Sequence, residues 1–155
     1  MTQSLALIGW REWVSLSELD LPLVKAKIDT GAKTSTLHAI HVDRFSKRKK
    51  DYVRFDVHPI QRNAHITRTC EALLLDERVI KSSSGHAEVR HIIKTNLVIG
   101  EIEADIELTL TNRDQMGFRM LLGRNALKDH FLVEPGASYL LGKYLKSTQR
   151  KLYKH

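Results

Sequence analysis

The chain has 155 residues, enough for one domain with its own core. Its 42% hydrophobic and 28% charged residues describe an ordinary globular composition and exclude a disordered or low-complexity chain. The net charge of +7 favours anionic partners without choosing among nucleic acid, acidic peptide and anionic lipid.

The N-terminal stretch MTQSLALIGWREW is too short and too weakly apolar for a secretory signal. No run approaches the roughly 18 apolar residues of a membrane span, so a cytoplasmic location is the expectation. Cys70 is the single cysteine, which excludes an intrachain disulfide and a cysteine-cluster zinc site.

In chain order, a short turn is expected over Leu16 to Leu19, capped by Ser15. Val24, Ala26 and Ile28 then alternate with Lys25 and Lys27, the period of a strand with one buried face. The segment Arg44 to Lys50 reads as an exposed basic loop. Val53, Phe55 and Val57 repeat the alternation against Arg54 and Asp56. KSSSGHAE reads as a hairpin tip between Val79-Ile80 and a strand from Val89 to Ile93. Leu97-Val98-Ile99 reaches Gly100-Glu101, a two-residue hairpin turn. The next strand carries Ile102, Ala104, Ile106, Leu108 and Leu110 on one face. Met120-Leu121-Leu122 runs into Gly123, after which Asn125 is expected to cap a short helix through Phe131. Pro135-Gly136 marks a turn before Tyr139-Leu140-Leu141. Many short strands with one or two short helices predict an all-β barrel or sandwich. The expected domain is residues 1–142, followed by a basic, mobile tail over 143–155.

The chemistry concentrates at Asp29-Thr30-Gly31. Taken alone, Asp-x-Gly also fits an Asx-turn, in which Asp29 bonds its own turn and Gly31 supplies a positive φ. The β-patterned strand before it and the small polar AKTST after it suit a tight turn beside an open cleft. The apolar run ending at Gly123 makes a natural neighbour: two apolar strands, each ending in a glycine turn, side by side.

These two motifs resemble the retropepsin-type aspartic peptidases. IDTGAKTSTLHA, IKSSSG, MLLGRNAL and EPGASYLLG together are more specifically similar to a bacterial group labelled "ATP-dependent zinc protease", which includes RimB. The resemblance covers most of Ile8 to Gly142 and implies a closed, six-stranded acid-protease barrel with one aspartate per chain. Hydrolysis in that family needs two carboxyls sharing a proton, so it implies a homodimer with Asp29 from each copy on a two-fold axis. Thr30 is then expected to steady the pair, Gly31 to allow close backbone approach, and Ser82, Ser83, Ser84 and Gly85 to form a flap or cleft wall. Related members are glutamyl peptidases that trim glutamates added by the ligase RimK to the C-terminus of ribosomal protein S6. An acidic substrate would need cations near the cleft, and the candidates are Lys33, Arg113, Arg119 and Arg124.

The cofactors in the group's label find little in the residues, and no cofactor is expected. Gly136 to Tyr144 has five residues between its glycines where a phosphate-binding loop has four, and Tyr144 where Ser or Thr should follow the lysine. There is no His-Glu-x-x-His, and His38 and His41 would face opposite sides of a strand. The competing reading is a non-catalytic basic β-barrel that binds RNA or the ribosome surface. The basic loop and tail favour it; the 6% aromatic content leaves few rings for base stacking.

Overall fold

A computed structural model describes residues 4–60, 63–81, 85–112, 117–144 and 146–153, without the side chains of residues 80 and 81. Among these residues the chain is mainly β. The strands are β1 (Ala6–Ile8), β2 (Arg11–Leu16), β3 (Leu21–Ile28), β4 (Ser35–His38), β5 (Ile40–Lys47), β6 (Lys50–Val57), β7 (Arg68–Lys81), β8 (Ala87–Ile99), β9 (Ile102–Thr111), β10 (Met120–Leu122) and β11 (Phe131–Val133). Two short helices accompany them, α1 (Arg124–Leu127) and α2 (Lys146–Leu152).

Six strands close into a ring in the order β2-β3-β10-β4-β9-β8, the expected closed barrel; β8 returns to β2 through the pair Ser15–Val98. From β8 the sheet continues outward through β7, β6 and β5, and β1 pairs separately and in parallel with β11. The period-2 patterns position the core as expected. Val24, Ala26, Val53, Phe55, Val57 and Leu108 are fully buried, and the polar residues alternating with them in β3, β6 and β9 point outward. Closure leaves the ring without an open edge.

Four local expectations are corrected. The turn after β2 is a 3-10 turn over Ser17–Leu19 without a side-chain cap; the Ser15 hydroxyl bonds the Leu21 carbonyl instead. The basic segment Arg44 to Lys50 is mostly strand: β5 and β6 form a hairpin whose turn puts Arg48 and Lys49 at positive φ. The helix after Gly123 ends at Leu127 and has no Asn125 cap, and Phe131 lies in β11. The tail is not free. Residues 146–152 form α2, and Tyr153 beyond it is buried with its hydroxyl between the Leu23 N–H (3.1 Å) and the Leu23 carbonyl, to which it donates. One aromatic ring in a core gap is enough to dock an otherwise polar helix.

Candidate active site

The strand order explains why the Asp29 turn is rigid. β3 and β4 are consecutive in sequence but not neighbours in the sheet, because β10 lies between them, parallel to β3 and antiparallel to β4. The chain therefore leaves β3 at Ile28, which is opposite Leu122, and must cross the end of β10 before starting β4. The crossing is residues 29–34.

Backbone groups lock the crossing to β10 and α1. The Asp29 N–H donates to Leu122 O (2.9 Å), and the Arg124 and Asn125 N–H groups donate to Ala32 O (2.7 Å) and Lys33 O (3.1 Å). The Gly123 N–H donates to the buried Ser35 hydroxyl (3.0 Å), and Arg124 Nη1 reaches Thr30 O (2.9 Å). Gly123 is required by space. A Cβ there would lie 2.4 Å from the Thr34 carbonyl oxygen, below any real contact. The same bonds explain the missing cap on α1, since loop carbonyls already satisfy its first N–H groups.

Within this frame Asp29 is half-buried, while Thr30, Gly31 and Lys33 are exposed. Its Oδ1 accepts the Gly31 N–H at 2.9 Å, so the Asx-turn is present. Gly31 is not at positive φ, which corrects that part of the reading. A Cβ on Gly31 would sit 3.2 Å from Oδ1, so glycine keeps room for the carboxylate. No cation among the described residues forms an ion pair with Asp29. The carboxylate is thus held by its own turn and half-exposed.

The structure brings Asp29, Thr30, Gly31, Lys33 and Arg124 together. Arg124 is partly used in bracing the turn, and its side chain remains exposed. Arg119 is half-buried, and its carbonyl accepts the His38 N–H at 2.7 Å. Gly85 is exposed with φ +85° near the tip of the β7–β8 hairpin. Ser82, Ser83, Ser84 and Arg113 lie outside the described residues.

Among the described residues no group of three or more His, Cys, Asp and Glu converges, and His41 Nδ1 is engaged with Asp56 at 2.9 Å.

Two supporting residues were not anticipated. Ser35 lies on the inward face of β4 with Leu37. Glu12 is fully buried with three backbone donors: Gly9 N–H at 2.7 Å, Leu140 N–H at 2.9 Å and Leu141 N–H at 3.1 Å. Its carboxylate pins the 139–141 segment over the start of β2. The signal was available: in REWVSL, Glu12 shares a face with Val14 and Leu16, and a carboxylate on an apolar face must be hydrogen-bonded.

A closed six-stranded barrel with Asp-Thr-Gly braced over an apolar strand end and a glycine defines an acid-protease domain. The chain belongs to the RimB-like family of retropepsin-like aspartic endopeptidases, whose model matches residues 7–144. It is 43% identical over 155 residues to a Desulfotalea psychrophila protein named "Probable alpha-L-glutamate ligase", covering 99% of this chain and 33% of that protein. A Shewanella halifaxensis protein of the same name is 40% identical over 153 residues, with 99% and 33% covered. The chain thus spans about a third of the length of the curated relatives it matches. A solved Legionella pneumophila protein, described as of unknown function, superposes with a TM-score of 0.74 at 28% identity, covering 90% of this chain and all of that one.

Proposed function

We propose that the chain is one protomer of a homodimeric aspartic peptidase that removes glutamate residues from polyglutamylated tails, such as the C-terminus of ribosomal protein S6. The observation that carries this reading is the Asp29 turn: its backbone is tied to Leu122 and Arg124, Gly123 is fixed beside it through Ser35, and its half-exposed carboxylate is held by the Gly31 N–H.

The reaction needs a second carboxyl, and one chain carries a single Asp-Thr-Gly, so a second copy supplies it across a two-fold axis. Support comes from β1 and β11, where Leu7 and Leu132 pair side by side and are 53% and 56% exposed, an apolar surface suited to a self-complementary interface. In the assembled dyad one Asp29 takes a proton from water as its oxygen attacks the peptide carbonyl carbon. The other donates its proton to the carbonyl oxygen. Collapse of the tetrahedral intermediate breaks the C–N bond, with a dyad proton passing to the leaving amine. Thr30 from each copy would steady the pair. The β7–β8 hairpin, with Gly85 and the exposed pair Val79–Val89 near its tip, would serve as the flap together with Ser82, Ser83 and Ser84.

For the substrate, the relatives' printed name supports glutamate: a domain sharing a third of proteins named for joining α-L-glutamate would meet that polymer. The surplus of cations and the exposed Lys33 beside the turn fit an acidic chain, with Arg124 and Arg113 as further partners. The reaction uses no cofactor in this reading, and a cytoplasmic site follows from the same substrate. Incubating the protein with a polyglutamylated peptide, with and without chelator, tests it. Wild type should release glutamate in both conditions, and Asp29→Asn should lower the rate by at least about a thousandfold. Retained cleavage in the variant would refute the assignment. Electrostatic binding to RNA without any cleavage would favour the ribosome-surface alternative.

A further inference from the structure

A cleft lies on the outer face of β2 and β3, and none of its lining residues belongs to the Asp29 turn. Its volume is about 600 Å³, and it is bounded further by Gly117 and Phe118 ahead of β10, by the β6–β7 connection and by α2. This is within the range of ligand-holding clefts, about 300–1,000 Å³. Arg11, Lys25, Lys146 and Arg150 line it, and no Asp or Glu does among the described residues.

The cations nearest the strands are held by rings. The Arg11 guanidinium lies 4.6 Å from the Trp10 ring centre and 4.8 Å from that of Tyr139, and Lys25 Nζ lies 5.4 Å from Trp13. Arg11 further donates to the Ser138 hydroxyl at 3.1 Å. No carboxylate of the described residues pairs with Arg11, Lys146 or Arg150. Around Arg11, aromatic faces orient the cation without cancelling its charge as a carboxylate would. Gathering like charges in one concavity costs stability, and a bound anion offsets that cost.

The same rings discriminate between anions. Nucleic-acid bases bind such walls by stacking on free aromatic faces. Of the rings lining the cleft, Trp13 is stacked on Tyr139 at 5.9 Å with Lys25 near it, and Phe118 meets Trp10 edge-on at 5.9 Å. What the cleft offers is charge with an amide donor from Asn63 and with Gln149, whose amide nitrogen also donates to the Tyr144 carbonyl at 2.9 Å. Such a lining suits carboxylates along an extended peptide.

We propose that this cleft is an exosite for an acidic peptide, holding a glutamate-rich segment remote from the bond being cleaved. The peptide class rests on the function proposed above. Lys25 and Asp29 are four residues apart along β3, about 13 Å in an extended strand, so a tail longer than about four residues can reach from one site to the other.

The test measures fluorescence anisotropy of a labelled oligoglutamate peptide on Asp29→Asn protein, with and without the added pair Lys146→Glu and Arg150→Glu. Both lie on α2, which buries none of its residues, and thermal melting checks the fold. The pair is expected to weaken binding about tenfold or more. With Asp29 intact it should raise KM for long glutamate tails while leaving kcat and the cleavage of short ones unchanged. Should the double variant misfold, Arg150→Gln alone should give a smaller shift in the same direction. Unchanged peptide binding, or tighter binding of an oligouridylate competitor that the same variants weaken, would overturn the exosite. The anisotropy requires no turnover, so it judges the cleft even if wild type cleaves nothing, a result that would defeat only the peptidase reading.

Discussion

Glu12 shows how one side chain can hold two parts of a site's scaffold. Of its three N–H donors, that of Gly9 is buried and those of Leu140 and Leu141 are part-buried; a buried donor left without its partner costs about 1–3 kcal/mol, and a part-buried one less. Glu12→Ala should therefore destabilise the protein by about 2–3 kcal/mol, seen as a lower urea midpoint, although the residue touches no proposed substrate group. Asp29 and Gly123 were legible because each motif combines strand patterning with a glycine turn. Glu12 and Ser35 were legible only through their positions on inward faces, where period 2 places them among apolar neighbours. The absence of the expected Asn125 cap was not predictable from local pattern, because the carbonyls that take its place, Ala32 and Lys33, are about 90 residues distant in sequence and meet α1 only through the crossing over β10.

Alternation predicted the strands well wherever one face is buried, as in β3, β6 and β9. It failed for the basic segment of β5, where none of the eight residues from Ile40 to Lys47 is buried and five are exposed, so no inward face shows in the pattern. Long-range pairing with β6 makes that stretch a strand despite its composition. The tail misled for the complementary reason: its helix buries nothing, and the single apolar anchor lies just past it. Tyr153→Phe keeps the ring but removes the hydroxyl that bonds both backbone groups of Leu23. It should cost about 1–2 kcal/mol and loosen α2, measurable as faster amide exchange over 146–152.

Across the whole molecule, burial sets the alkaline limit of stability. Burial raises the Cys70 thiol from 9.0 to about 12, and the Tyr153 hydroxyl is likewise raised from 10.0, burial again being the largest cause. Both groups keep their protons when folded and release them more readily when unfolded. Their favourable contribution is complete below the ordinary values and declines as pH climbs past 9, so the melting temperature should fall between pH 9 and 12. Cys70→Ala should flatten the first part of that decline. At the acid end Asp56 acts oppositely. Hydrogen bonds from Thr69 and then His41 hold its carboxyl below 3.8, so its contribution is present above that value and is lost as pH drops through the lowered one. The overall class, a β-barrel carrying one aspartate turn, was legible from these patterns and the family resemblance; the outward β7–β6–β5 extension was not, because nothing local distinguishes a strand inside the ring from one beyond it.

The ring and its extension share β8, and the ring's ladder closes there at the pair Ser15–Val98, with the rest of that seam made by close packing of the two strands. The same strand thus carries the wall of the barrel at one end and the long β7–β8 arm at the other. A tilt of that arm is handed to β2 through packed neighbours more than through a hydrogen-bond ladder, so whatever the arm grips is mechanically joined to the barrel wall.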